Sequence, residues 1–438
     1  MQTTGEPSAK LKVLIITYYW PPAGGPGVQR WLKFVKYLPG YGVEPVVYIP
    51  QNPSYPLQDE RLIEEIPDGV TIIKQKITEP YAWASVLSKG SAKKISSGII
   101  PDKKKQSIVQ RLMLWVRGNV FIPDARVLWV KPSIRYLTDY LKNNPVDVVI
   151  TTGPPHSLHL IGLGLKKRNN IKWIADFRDP WTSIGYHKEL KLSNRAAKKH
   201  KFLEKHVLTS ADHIVVTSPT TKKEFEGLTN VQVSVITNGY DTEKISHQPL
   251  DEKFSIAHIG SLLSERNPQV LWQVLAELTK QQPDFGKFLE IKLIGAVSKE
   301  VLHAMHEHGL GSYITTMGYV PHAEAITQQR KSQLLLLIEI DREETKGIIP
   351  GKLFEYMVSE RPLLAIGPKG ADIESIIKST NTGVFATYQQ KALIKQAILQ
   401  YFEHYKKGEL FSHAIGLQQY SRKKLTESLA DLIKQCST

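Results

Sequence analysis

The sequence predicts an α/β protein made of two doubly wound sheets, and three observations carry that prediction. Short apolar, β-branched runs that end in turn clusters recur along the chain, as buried strands do. Helical segments lie between them, which is the alternation of a parallel sheet. The pattern breaks once, at Ser246-His247-Gln248-Pro249, and then restarts, and 438 residues suit two domains. The expected division is residues 1–248 and 249–415, with a terminal helical stretch within 416–438.

The first strand is expected over Leu11 to Thr17. A loop from Tyr18 to Gly27 follows, with three prolines and three glycines, then a helix from about Val28 to Leu38 that turns Val28, Leu32, Val35 and Leu38 to one side. Val43 to Ile49 is the next strand, so the chain opens with a strand–loop–helix–strand unit. Val146 to Thr151, Ile171 to Ala175, Ile214 to Thr217 and Val233 to Ile236 repeat the pattern. After the break come a strand at Ser255 to Ile259, a Gly260-Ser261 turn and a helix from about Asn267 to Lys280. Strands at Ile291 to Ile294, Ile314 to Met317, Leu334 to Ile338 and Leu363 to Ile366 complete the second half. Tyr420 to Lys434 carries Leu425, Leu429 and Leu432 at helical spacing. In such sheets ligands bind beyond the carboxyl ends of the strands, with a cleft between the two domains as the natural place.

Composition narrows the class. Apolar residues make up 41% and charged residues 23%, ordinary for a globular protein. The one cysteine, Cys436, excludes an intramolecular disulfide and a cysteine-based zinc site and suits a reducing compartment. The polar start, Met1 to Lys10, lacks the apolar core of a signal peptide, and no apolar run is long enough to span a bilayer, so a cytoplasmic protein is expected.

The net charge of +15 is uneven: residues 89–205 hold 24 basic and eight acidic residues, while the rest is close to balanced. Trp115, Phe121, Trp129, Tyr136, Tyr140, Trp173 and Trp181 lie among these charges. Lys103-Lys104-Lys105 precedes Ile108, Val109, Leu112, Met113, Trp115 and Val116, a basic start to an apolar helical stripe that suits the surface of an anionic membrane. A nucleic-acid patch has similar charge but no nucleic-acid-binding motif accompanies it, and a solvated face over a buried stripe reads the same way.

Three places in the first half combine the right residues with the ligand-facing end of a strand. In the loop Trp20 to Gly27, Gly24 and Gly25 let backbone approach a phosphate or sugar. The spacing is not the dinucleotide fingerprint, no acidic residue ends the second strand, and no Walker lysine loop exists, which argues against NAD, FAD or a P-loop. His156 follows the strand at Val146 to Thr151 and can donate to a sugar hydroxyl or answer a developing charge. Asp176, Arg178 and Asp179 crowd together after the next strand; they read either as a structural ion-pair group or, through Asp179, as a binder of acceptor or sugar hydroxyls. No third ligand stands near this Asp-x-x-Asp, so no metal is expected.

The second half carries the rest. Gly260 and Arg266 stand between a strand and a helix, a phosphate-binding arrangement. In Gly347 to Gly367 a Pro/Gly loop enters a helix that sets Lys352 and Glu355 three residues apart on one face, ahead of the strand at Leu363. A cation near a helix start can meet a diphosphate, and a carboxylate one turn on can accept from vicinal ribose hydroxyls. An ordinary amphipathic helix with a solvated Lys and Glu has the same spacing.

In this order these features resemble the GT-B glycosyltransferases, α/β enzymes of two Rossmann-like domains facing across a cleft, and are similar to the retaining family 4 in particular. The resemblance covers nearly the whole chain and rests on Gly24-Gly25, His156, Ile236-Thr-Asn-Gly-Tyr-Asp241, Gly260-Ser261 through Arg266, and Pro350-Gly-Lys-Leu-Phe-Glu355. It implies a nucleotide-diphosphate sugar held mainly by the C-terminal domain, with Arg266 and Lys352 on the diphosphate and Glu355 on the ribose. It implies Gly24 and Gly25 on the first-domain side, His156 at the transferred sugar or acceptor, no bound metal or cofactor, transfer with retention, and a terminal helix that packs back on the first domain. A lipid-linked or saccharide acceptor at the cytosolic membrane face fits the basic first domain. The family usually carries two glutamates eight positions apart; Glu355 matches the second, Gly347 stands at the first, and Glu343 and Glu344 are out of register. A nucleotide-sugar epimerase of the same fold and a non-catalytic nucleotide-sugar-binding protein are the alternative readings.

Overall fold

Residues 10–79, 108–241 and 248–438 are described in the computed structural model. The chain divides into two compact units, Met1–Thr237 together with Arg422–Thr438, and Asn238–Ser421. The division therefore falls at 237/238 and 421/422, where the sequence places it at 248/249 and 415/416.

In the first unit the strands are β1 (Leu11–Ile16), β2 (Val43–Pro50), β3 (Thr71–Gln75), β4 (Val148–Gly153), β5 (Lys172–Phe177), β6 (His213–Val216) and β7 (Val233–Val235). Their order across the sheet is β3-β2-β1-β4-β5-β6-β7, and each adjacent pair is parallel. The strand order reverses between β1 and β4, the switch point at which doubly wound sheets open a crevice beyond their carboxyl ends. Both faces are covered, so β1 buries Val13 to Ile16 without alternation. β4 starts two residues later than the sequence suggests because Asp147 turns its carboxylate to the Lys12 backbone N–H, 2.6 Å away, ahead of the apolar run.

The first helix runs Pro26–Tyr37 with proline in its opening turn, where a missing N–H costs nothing. It seats Val28, Trp31, Leu32 and Val35 in the core of this unit. The terminal helix, Arg422–Ser437, joins the same core through Leu425, Leu429, Ala430, Leu432 and Ile433. Tyr41 Oη donates to the Lys423 carbonyl at 3.1 Å, and Arg422 Nη1 to the Gln29 carbonyl at 3.2 Å. The last helix thus completes the first unit, as the resemblance implies.

The second unit holds β8 (Phe254–Ile259), β9 (Leu289–Ile294), β10 (Ile314–Gly318), β11 (Leu334–Ile338), β12 (Leu363–Gly367) and β13 (Gly383–Thr387), in the order β10-β9-β8-β11-β12-β13 and again parallel. The leucine run of β11 shows why the strand reads as continuous: Leu334, Leu336 and Ile338 pack into one core, Leu335 and Leu337 into the other. Among the described residues no helix is long and apolar enough to cross a membrane.

The basic, amphipathic stretch is partly borne out as a helix, Ile108–Asn119, but its stripe divides. Leu114, outside the expected stripe, is buried against Leu190, while Leu112 and Trp115 are 60% and 45% exposed. Lys103, Lys104 and Lys105 lie outside the described residues.

Candidate active site

In the first unit the candidate residues gather at the carboxyl ends of β1, β4 and β5. Gly25 has a φ of +94°, a conformation open to glycine at little cost, and opens the helix Pro26–Tyr37. The Gly24 N–H donates to the Leu57 carbonyl at 2.9 Å, which pins the loop. His156 follows β4 and precedes the helix Ser157–Asn169. It is 5% exposed, and neither ring nitrogen has a hydrogen-bond partner. Its ring lies parallel to the Trp181 ring, 5.1 Å between centroids, and 5.9 Å from the His159 ring. Burial, reinforced by His159 and Arg178, holds His156 well below the ordinary imidazole range, so the ring is neutral near pH 7. A neutral, buried imidazole without partners can accept or donate one hydrogen bond to an entering hydroxyl.

The charged trio after β5 separates. Asp176 belongs to the structure: Arg30 Nη2 donates to it at 2.8 Å, Trp31 Nε1 at 2.8 Å and Thr152 Oγ1 at 2.9 Å. Burial alone would raise its carboxyl, yet Arg30 and these donors hold it below the usual carboxylate range. Arg178 is not the bridge between two carboxylates. It donates to the Pro154 carbonyl, its guanidinium stands 5.8 Å from the Tyr19 ring centre, and its backbone N–H bonds the Gly153 carbonyl at 2.9 Å. Burial pushes Asp179 up against the opposing pull of Arg178.

In the second unit Gly260, Arg266 and Lys352 converge beyond β8. Gly260 has a φ of +115°, and its N–H bonds the Ile294 carbonyl at 2.7 Å. A side chain there would begin 3.6 Å from Lys352 Nζ, so glycine leaves the ammonium its room. Lys352 Nζ donates to the Ile259 carbonyl at 3.3 Å, and burial lowers it to about 8, against the partial support of Glu339. Arg266 Nη2 lies 3.5 Å from Glu339 Oε2. His258, fully buried in β8, turns Nδ1 to the Leu336 carbonyl at 3.1 Å; burial and then Lys352 depress it, so it adds no charge near neutral pH.

The helix that carries Lys352 is Gly351–Met357, only seven residues, so its dipole is small and the side-chain cations supply the attraction. Glu355 sits apart from them, with Gln329 Nε2 at 3.3 Å and His322 Nε2 at 3.8 Å, and is one-third exposed. Sequence reasoning missed Glu339 and the histidines that surround His156. Glu339 had one visible signal, a carboxylate set directly after five apolar strand residues. Glu343, near the expected first glutamate position, pairs with Lys346 at 2.7 Å in the solvent. Among the described residues no group of three or more histidine, cysteine or acidic side chains is placed to hold a metal ion.

Residues 99–244 match the family model described as Glycosyltransferase Family 4. The chain resembles the GT-B glycosyltransferases of that family. Among solved structures, the sucrose-phosphate synthase of Thermosynechococcus elongatus superposes with a TM-score of 0.60 at 12% identity, over 97% of this chain and 98% of that one. The Anabaena protein HepE, solved in complex with UDP-glucose, gives 0.59 at 14% identity over 97% and 100%. A UDP-N-acetylglucosamine 2-epimerase from Listeria monocytogenes, described as putative, gives 0.53 at 13% over 98% and 96%. At these identities the likeness establishes the fold. No curated protein sequence matches the chain.

Proposed function

We propose that this protein is a glycosyltransferase that takes a sugar from a nucleotide-diphosphate sugar and passes it, with retention and without a bound metal, to a lipid-linked or saccharide acceptor. The observation that carries the reading is that Arg266 and Lys352 gather about Glu339, with Lys352 beside Gly260, at the ligand end of the second sheet. Two side-chain cations beside a glycine suit the two phosphorus groups of a donor, and they stabilise the departing diphosphate as charge develops on it. Glu355, one turn beyond Lys352, takes the ribose hydroxyls; Gln329 Nε2 already supports its Oε2. In the first unit Gly24 and Gly25, His156 and Asp179 serve the acceptor and the transferred sugar.

The first unit also supports an anionic membrane surface as partner. Leu112 and Trp115 stand exposed beside exposed Arg111, and Phe202 is 66% exposed among Arg195, Lys198, Lys201 and Lys205 on the helix Asn194–Ser210. The two helices are neighbours, since His200 Nε2 reaches the Gly118 carbonyl at 3.3 Å. Apolar side chains within a basic field fit an anionic headgroup layer. A cytoplasmic enzyme working at the membrane face in cell-surface polysaccharide or glycolipid synthesis is the consistent setting.

The experiment is incubation with radiolabelled nucleotide sugars and extracted membrane lipids. Label moving into lipid or saccharide supports transfer. A changed donor sugar without acceptor product would instead support epimerisation, the reading favoured by the likeness to the Listeria epimerase. Binding without product would mark a non-catalytic nucleotide-sugar-binding protein.

A further inference from the structure

Glu339 is a carboxylate that the donor reading does not use. It follows β11 directly, is 2% exposed, and is pinned through its backbone: its N–H bonds the Ile366 carbonyl at 2.8 Å, and Tyr388 Oη donates to its carbonyl at 2.8 Å. Its side chain turns to Arg266, 3.5 Å away, while Oε2 makes no hydrogen bond. The charged and titratable groups that face it are Arg266 after β8, Lys352 from the helix Gly351–Met357, and Tyr388 after β13; His258 within β8 lies by the same two cations, and Asp341 by Tyr388. From β12, Gly367 approaches, where an added side chain would begin 3.5 Å from Glu339 Cβ.

We propose that Glu339 is an internal counter-ion of the diphosphate site, and that binding of a diphosphate at Arg266 and Lys352 is coupled to uptake of one proton by Glu339. The inference rests on the donor reading above and adds a linkage to it. Without ligand, one buried carboxylate answers two cations. A diphosphate brings further negative charge to the same two groups, and like charges that close, screened from water, do not both stay ionised. Glu339 cannot swing away, because its backbone is held on both sides and its side chain is enclosed. The proton comes from solvent and adds to a carboxylate oxygen; no other bond forms or breaks. The carboxylate also opposes adventitious anions, so a small monovalent anion, with less to offer the cations, competes poorly for the site.

The test is calorimetric titration of the full chain with UDP, and with inorganic pyrophosphate as a probe without a base, near pH 7 in buffers of different ionisation enthalpy. The probes' own phosphate groups titrate near pH 7 and Lys352, at about 8, gains charge on binding, so the readout is the difference between the proteins: the wild type takes up close to one proton more than Glu339→Gln. Wild-type affinity falls by up to about tenfold between pH 6.5 and 7.5, as one-proton linkage requires, and the Gln variant shows a shallow profile and tighter binding at the upper end. Uptake equal in the two proteins overturns the proposal. Weaker binding by Glu339→Gln also overturns it and assigns Glu339 the positioning of Arg266 instead. Glu339→Ser is the companion variant, read by the same difference where Glu339→Gln does not fold. If neither probe binds the wild type at all, the donor reading fails together with the linkage; binding without that difference in uptake removes only the linkage.

Discussion

Replacing Asp176 by alanine tests whether this member of the charged trio after β5 belongs to the scaffold. Asp176 is 1% exposed and takes four hydrogen bonds, from Arg30 Nη2 at 2.8 Å and Nε at 3.4 Å, Trp31 Nε1 at 2.8 Å and Thr152 Oγ1 at 2.9 Å. Alanine leaves Arg30, itself 5% exposed, with the Thr237 carbonyl at 2.8 Å and the Phe34 ring but no counter-charge. Removing one partner of a buried ion pair costs about 3–5 kcal/mol. The stranded Trp31 and Thr152 donors add about 1–3 kcal/mol each, and because the groups share one site the sum is not additive, so a loss on the order of 5 kcal/mol is expected. For a unit of this size that is a fall of roughly 10–20 °C in melting temperature. Scanning calorimetry should show it in the first unit's transition, with binding of UDP by the second unit retained below that transition. Asp176→Asn keeps acceptors for Trp31 and Thr152 and should fall between the two. A loss below about 1 kcal/mol would refute the assignment of Asp176 to the scaffold.

Other perturbations follow from the same geometry. Lys352→Ala should weaken binding of UDP and of pyrophosphate by on the order of 10- to 100-fold with little change in melting temperature, and calorimetry giving unchanged affinity would refute its phosphate contact. Because burial sets Lys352 at about 8, it is charged below that value and neutral above, so wild-type affinity should fall further as pH rises through 8. Buried His159 is lowered to about 3, so it stays neutral in the fold while the unfolded chain protonates near its ordinary value. Its contribution is complete above about pH 6.5 and is lost as pH falls toward 3; at about pH 4.5 the loss is on the order of 2–3 kcal/mol, and urea midpoints should show a weaker acid dependence in His159→Gln. Leu112→Ser with Trp115→Ser should release the protein from anionic vesicles in flotation without shifting its melting temperature, since both side chains are exposed; equal flotation would remove this helix from the membrane contact.

The sheets were legible because parallel strands covered on both faces need uninterrupted apolar runs, and Leu334–Ile338 was read to the residue for that reason. Strand ends were less legible where a polar residue serves the backbone. Val146 looks like strand, yet Asp147 spends its carboxylate on the Lys12 N–H, and pairing begins at Val148. The unit boundary escaped for a different reason. Composition marks the linker by its polar residues near 246–249, whereas compactness divides the chain at Thr237, whose carbonyl still accepts from Arg30. A hydrogen bond between positions 207 residues apart leaves no local trace.

The sites follow the same division. Gly260, Arg266 and Lys352 were found because each sits just past a strand or loop signal, so chain order alone brings them to one end of the sheet. Of the two readings open for the trio, the ion-pair one does not extend to a bridge through Arg178, since adjacency in sequence is not pairing in space. Asp176, still within β5, turns to Arg30 and Trp31 on the helix Pro26–Tyr37, while Arg178, just past the strand, has left the pleat and reaches the Pro154 carbonyl. Glu339 eluded the search because a glutamate was sought at a fixed distance before Glu355, a spacing that holds only if the loop between strand and helix has constant length. Here that loop runs from Glu339 to Pro350, and the buried carboxylate beside the cations comes from its first residue. Where loop length varies, the strand end is the better anchor for such a search: parallel pairing fixes it against β8 and β12, and with it the distance to the cations.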